Sequence, residues 1–104
     1  MPRPINHSLL LSATTATVST ASASYVEARN QVYHTFCITS SGGPSGAVSI
    51  LHKTPAGSTG PLHEETIATA TTKFVFLTGQ LEQVGAAVPT YSTGTFGVEY
   101  LAGV

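Results

Sequence analysis

The stretch "TGTFGVEYLAG", residues 93 to 103, decides the fold. Its large apolar side chains alternate with small or polar ones, the apolar set being Phe96, Val98 and Tyr100. A period of two is typical of a β-strand that places one face in a core. We expect this last strand of the sequence to pair between earlier ones, so that its removal would open the core.

Similar runs precede this strand, and no run has the three-and-four spacing of an amphipathic helix. The clearest is residues 31–39, which place Val32, His34, Phe36 and Ile38 on one face. Residues 47–54 follow, with Val48 and Ile50 inward. The glycine-rich residues 40–46 between them predict a turn, which would make the two runs an antiparallel hairpin.

The remaining runs predict further strands, except that residues 23–30 fit either a strand or a short turn. In residues 72–78 Phe74 and Phe76 share one face and Val75 and Leu77 the other, so we expect both faces to be buried, inside a sandwich or against a neighbouring subunit. The other predicted strands are residues 8–20, 62–70 and 80–88, and the other predicted turns are residues 55–61 and 89–94.

About seven or eight short strands, with turns about every ten residues, predict an all-β protein. We expect a single antiparallel β-sandwich, jelly-roll-like or immunoglobulin-like, over residues 12–104. Residues 1–11 are expected to form an extended N-terminal arm, since Pro2 and Pro4 oppose regular strand pairing. The apolar run of this segment is too short for a signal peptide, and we expect none.

The composition is unusually poor in charge. The 104 residues suit one domain, and only 9% are charged, with a formal net charge of -1, against about 25% in typical soluble domains. Either neutral Ser and Thr coat the surface or other subunits cover it. The basic residues are scattered, so nucleic acid is a poor partner. No stretch is long enough for a transmembrane helix.

The sequence lacks the usual marks of catalysis and metal binding. It has no G-x-S-x-G turn, and strand alternation sends His34 and Cys37 to opposite faces. Cys37 is best interpreted as a small buried apolar residue. The four histidines match no zinc spacing. In "LHEE" we expect His63 and Glu65 on one side of a strand and Glu64 on the other, as a solvated edge. We expect no enzyme, no metal and no cofactor.

One layout of turns and strands resembles the small structural proteins of tailed bacteriophages. It comprises a V-x-I/L strand, a Gly-Ser loop, a strand ending in T-x-T, an F-V-F strand and a closing G-T-F-x-V-x-Y strand. These elements correspond to Val48 to Thr54, Ala56 to Gly60, Thr66 to Thr72, Phe74 to Phe76 and Gly94 to Gly103. The resemblance implies a non-enzymatic virion protein.

Within that family, the resemblance favours a capsid cement or decoration protein, made in the host cytoplasm and bound to the capsid surface. Its expected partners are major capsid protein subunits and one or two further copies of itself, as a homo-dimer or homo-trimer. A tail, spike or head-fibre component remains an alternative, as does a carbohydrate-binding or adhesive module that uses Tyr91, although the chain has no Trp. The predicted contact residues are Arg3, Ile5, His7 and Leu9 in the arm and Tyr91, Phe96 and Tyr100 on the sandwich, with core packing as the alternative for these aromatics.

Overall fold

The computed structural model describes residues 6–103, with side chains from His7 onward. It is an antiparallel β-sandwich, which confirms the predicted fold class. Six strands form the described part of the chain. They are β1 (Asn6–Thr14), β2 (Tyr25–Glu27), β3 (Tyr33–Lys53), β4 (Thr59–Ile67), β5 (Thr71–Thr78) and β6 (Gln83–Gly103).

Two strands of 21 residues each, β3 and β6, belong to both layers of the sandwich. They pair with each other along their length, from Tyr33 with Gly103 to Lys53 with Gln83. The first half of β3 and the second half of β6 lie between β5 and β1, which gives the first sheet the order β1-β6-β3-β5. Their other halves lie between β4 and β2, which gives the second sheet the order β2-β6-β3-β4. The last strand therefore does pair between earlier strands, as its sequence predicts.

The long strands bend where glycines relax the backbone. The pairing of β3 with β6 shifts register between Ser41 and Gly46. Gly42, Gly43 and Gly94 have positive φ angles of 71°, 64° and 94°, a region that side-chain-bearing residues rarely adopt. At Gly94 a Cβ atom would lie 2.5 Å from the Cα of Pro44, so only glycine fits this corner.

Two turn predictions are wrong for this reason. Residues 40–46 and 89–94 were expected to connect separate strands, yet each lies inside a continuous strand that bends from one sheet to the other. The residues suit a bulge as well as a turn, because both need positive φ and freedom from side chains. The predicted hairpin of residues 31–39 with 47–54 is therefore a single strand, and the described strands number six instead of seven or eight.

The inner faces of the two sheets build one core. The first sheet contributes Phe36, Ile38, Phe96, Val98 and Tyr100, and the second contributes Val48, Ile50, Val84, Ala86 and Val88, all at most 1% exposed. Strand β1 adds Leu10 and Leu11, which are 7% and 6% exposed. The structure thus places residues 6–14 in one strand of the sheet, across the boundary predicted after residue 11.

A buried polar link on the inner side of the first sheet joins β3, β6 and the turn after β5. His34 Nδ1 lies 2.6 Å from the hydroxyl of Tyr100, and His34 Nε2 lies 3.0 Å from the carbonyl oxygen of Gly79. A carbonyl only accepts, so Nε2 carries the proton and Nδ1 accepts from the tyrosine. Burial raises the pKa of Tyr100 to about 12, so its hydroxyl keeps the proton that it donates.

Charged side chains bridge the two sheets on the side where the edge strands β4 and β5 lie. Lys73 Nζ of β5 lies 2.8 Å from Glu65 Oε1 of β4, and His63 Nε2 lies 3.0 Å from the same oxygen. The hydrogen bond from Lys73 is the main reason that the pKa of Glu65 is lowered. Glu64 points the other way and accepts from the hydroxyl of Ser49 at 3.1 Å. The predicted separation of His63 and Glu65 from Glu64 is confirmed, and the inward charges protect two edge strands from further pairing.

Candidate interaction surface

The outer face of the first sheet is apolar and uncovered in the described structure. Two rows of paired residues cross it from β1 through β6 and β3 to β5. Together with Tyr33, the apolar members of these rows form what we call the apolar face, namely Leu9, Tyr33, Phe74, Phe76 and Leu101. The first row runs Leu9, Glu99, Cys37, Phe74, and the second runs His7, Leu101, Thr35, Phe76.

The exposed fractions mark this face as unusual. Leu9, Tyr33, Phe74 and Phe76 are 55%, 58%, 54% and 72% exposed. Apart from Val32, which directly precedes β3, they are the exposed large hydrophobic residues of the described chain. Since a Phe or Tyr side chain offers about 150–250 Å², these exposed parts sum to roughly 500 Å² of apolar surface. That is near the upper end of the largest patch on a typical monomer, about 300–600 Å², and such patches are often functional.

Strand β5 supplies the aromatic half of the face. Its alternation turns Val75 inward and leaves Phe74 and Phe76 outward, with their rings stacked at a centroid distance of 6.3 Å. Burial of both faces inside the sandwich is therefore wrong for this strand, and cover by a neighbouring subunit stays a prediction. Strand β5 pairs with β3 alone among the described strands, and no described segment covers its outer side.

The other half of the face carries one carboxylate, Glu99, in contact with His7. His7 Nε2 lies 2.9 Å from Glu99 Oε2, and both side chains are about half exposed. Cys37 lies between Glu99 and Phe74 but is only 8% exposed. Burial, and then the Glu99 charge, raise the pKa of the Cys37 thiol, so the reactive thiolate is disfavoured. The thiol and His34 lie on opposite sides of β3, as predicted.

A shallow depression of about 270 Å³ lies at one end of the face. It is lined by Tyr33, Thr35 and the last residues of β6, Leu101 to Gly103. Its walls are mostly apolar, and Tyr33 is the one lining residue with an ionisable side chain. The depression offers a place for an apolar side chain from another protein, because little polar surface has to be desolvated there.

The predicted contact residues are only partly brought together. Arg3 and Ile5 lie outside the described residues. His7 and Leu9 are exposed on β1, at the margin of the apolar face. Tyr91 is half-buried, and its hydroxyl donates to the carbonyl of Gly94 at 2.8 Å. Phe96 and Tyr100 are corrected to core residues, since they are 0% and 1% exposed and cannot reach a partner.

The sequence-based prediction missed the residues that matter most on this face. Phe74, Phe76 and Tyr33 were recognised as strand residues but not as contact residues. The usable signal was "KFVFL", where apolar residues occupy both faces of one strand. Such a strand needs cover on both sides, and a chain of this length has one core to offer.

The described side chains show no metal-binding arrangement. Within residues 7–103 no group of three or more His, Cys, Asp or Glu side chains is placed to hold an ion. None of the described residues forms a helix long and apolar enough to cross a membrane. What the described surface does offer is the apolar face, on which Glu99 is the one carboxylate.

Comparison with known proteins finds likeness in fold alone. No protein-family model and no curated protein matches the sequence. The chain shares its fold with a prophage protein. That protein is the SPBc2 prophage-derived YomS, with a TM-score of 0.69 and 11% identity over 100% of this chain and 96% of that one. A second solved structure, of Bacillus endospore appendages that form disulfide-linked pili, has a TM-score of 0.51 and 16% identity, covering 100% of this chain and 92% of that one.

Proposed function

We propose that the protein is a non-enzymatic structural subunit of a bacteriophage particle, and specifically a capsid cement or decoration protein. The observation that carries the proposal is the apolar face, roughly 500 Å² of exposed hydrophobic side chain on a chain with 9% charged residues. Such a surface is suited to protein contact. The end-to-end likeness of fold to a prophage-derived protein directs the proposal to a phage particle.

The physical role of such a subunit is to stabilise the assembled head. A protein that binds the assembled shell but not its free subunits shifts the equilibrium toward the shell by mass action. Neutral contact surfaces suit this task, since they lose little hydration energy on burial. The protein would be made in the host cytoplasm and would act on the capsid surface, against major capsid protein subunits.

The proposed contact with the capsid is the N-terminal segment and the free edge of β1. Among the described strands β1 pairs with β6 in the first sheet, so its other edge is open to an added strand from a partner. The backbone of this edge would make the contact, because the side chains of His7 and Leu9 point to the apolar face. Arg3 and Ile5 precede β1 and complete the predicted contact.

The test is to add the purified protein to undecorated phage shells. We expect binding that saturates at a fixed number of copies and raises the temperature at which the shells fall apart. A variant that lacks residues 1–5 keeps Leu10 and Leu11, which are buried, so it should stay folded and lose shell binding. Full binding by this variant would disprove the N-terminal contact, and absence of binding by the intact protein would disprove the cement role.

A tail or head-fibre component is the second candidate, favoured by the likeness of fold to a pilus structure. The sequence contains one cysteine, Cys37, whose side chain is 8% exposed. One cysteine can join at most two chains, whereas a continuous disulfide-linked filament needs two per subunit. Labelling of intact particles in electron micrographs separates the candidates, because a cement protein covers the shell and a tail component marks one vertex.

A further inference from the structure

We infer that the apolar face joins two copies of this chain, whose first sheets pack face to face about a two-fold axis parallel to their strands. The inference adds a self-contact to the proposed function. It needs no capsid, so it can be tested on the purified protein alone.

The size of the face fits a second copy. The exposed apolar side chains supply roughly 500 Å², and Thr39, Thr72 and Thr78 flank them on β3 and β5. The apolar side chains alone thus supply over half of the area of about 800 Å² per partner that a standard interface buries. Two antiparallel sheets pack in this way within ordinary sandwiches, about 10 Å apart.

The register makes the face complementary to itself. Aromatic residues lie on β5, whereas Leu9 and His7 lie at the opposite margin on β1. A two-fold axis parallel to the strands reverses the order of the strands, so that β1 of one copy faces β5 of the other. It leaves each row facing the same row of the partner. Leu9 of one copy then lies opposite Phe74 of the other, and His7 lies opposite Phe76. Each aromatic ring meets an aliphatic side chain or an imidazole, and the two contacts occur twice by symmetry.

The charges select this axis over the alternative. An axis perpendicular to the strands would place β1 on β1 and bring the Glu99 carboxylates of the two copies toward each other. Like charges across an interface are unfavourable. The parallel axis places Glu99 opposite Cys37, a neutral side chain, and leaves the contact of His7 Nε2 with Glu99 Oε2 intact at 2.9 Å.

The first experiment is sedimentation equilibrium of the intact protein over micromolar to millimolar concentrations. We expect a monomer–dimer equilibrium, and we expect the double variant Phe74→Ser, Phe76→Ser to weaken dimerisation at least 100-fold. Because both rings are exposed, this variant should keep the monomer's fold, which circular dichroism checks. The matched control is Thr66→Ala with Thr90→Ala, two exposed residues of the second sheet, which should dimerise normally. A protein that stays monomeric, forms trimers, or dimerises without the two phenylalanines would overturn the inference.

The second experiment tests the axis by disulfide trapping in a Cys37→Ala background. Leu9→Cys combined with Phe74→Cys should give a covalent dimer on oxidation, because cysteines can bridge facing sheets, as they do in immunoglobulin domains. Either cysteine alone should give little covalent dimer. Efficient trapping by Phe74→Cys alone, or none by the pair, would refute the parallel axis. If the protein is a monomer and still binds shells, only the dimer inference is disproved. If it is a dimer and does not bind shells, only the cement role is disproved.

Discussion

Replacement of Tyr100 by Phe should destabilise the protein through a single orphaned atom. The Tyr100 hydroxyl donates to His34 Nδ1 at 2.6 Å, while His34 Nε2 is committed to Gly79. The variant keeps the ring, and therefore its stacking on Phe36 at 5.0 Å. What it removes is the donor to an acceptor that is 1% exposed.

The expected cost follows from that burial. A buried polar group left without its partner costs about 1–3 kcal/mol, so we expect a loss of about 2 kcal/mol in the free energy of unfolding. In a domain of this size 1 kcal/mol shifts the melting temperature by about 4–8 °C, which predicts a fall of about 8–16 °C. Urea and thermal unfolding, followed by circular dichroism, measure both quantities.

Two further variants make the reasoning refutable. Tyr91→Phe removes a hydroxyl that is only half-buried and bonded to a carbonyl, so its cost should stay below about 1 kcal/mol. Adding His34→Leu to Tyr100→Phe removes the orphaned nitrogen and should restore part of the loss. If Tyr100→Phe costs no more than Tyr91→Phe, the buried link does not stabilise the fold as argued.

Two other substitutions and one truncation test the bend, the charged side and the last strand. Gly94→Ala forces a side chain into φ 94° and against Pro44, and should cost at least about 2 kcal/mol in urea unfolding, whereas Gly60→Ala, with open space around it, should be neutral. The lowered pKa of Glu65 means that its contribution is present above about pH 4.5 and is lost as pH falls through the folded-state value. Glu65→Gln should thus cost up to about 1 kcal/mol at neutral pH and flatten the decline in stability below pH 4.5; an unchanged pH profile would contradict the role of the bond from Lys73. A chain that ends at Thr93 lacks the half of β6 that pairs with β1 and β3, and a dispersed amide NMR spectrum from it would refute the need for that strand.

The period-two pattern was enough to predict the fold class and most of the core. Val48 and Ile50 were assigned to an inward face, and Phe36 and Ile38 to one common face; all four are 0% exposed. The alternation is informative because successive side chains of a strand point to opposite faces, so a strand that is buried on one face has apolar residues at every second position. The same rule placed His63 and Glu65 together correctly.

The predicted number of strands is wrong because a glycine-rich segment can either end a strand or bend it. Residues 40–46, "SSGGPSG", can end a strand or bend it, since both outcomes need glycine at positive φ. The choice depends on whether β6 continues to pair across the bend. That pairing is non-local, so no window of sequence around the glycines contains it.

The apolar face was missed because the sequence shows that both faces of residues 72–78 are apolar but does not show what covers the second face. Phe74 and Phe76 were recognised as one face of a strand, and a neighbouring subunit was named as one possible cover. Only the register, which places Leu9 and Leu101 in the same two rows, shows that the separate residues form a continuous surface. Phe96 and Tyr100, whose strand was correctly predicted, belong to the core instead.

The sharing of β3 and β6 between the two sheets also determines how the molecule comes apart. The ladder of one layer continues into the other, so neither layer can melt as an independent subdomain. Amide protons in both halves of each long strand should therefore exchange through one global opening, with similar free energies. Assembly of this ladder also brings together residues such as His34 and Tyr100, 66 positions apart, and folding should take milliseconds to seconds, the time typical of such long-range topologies.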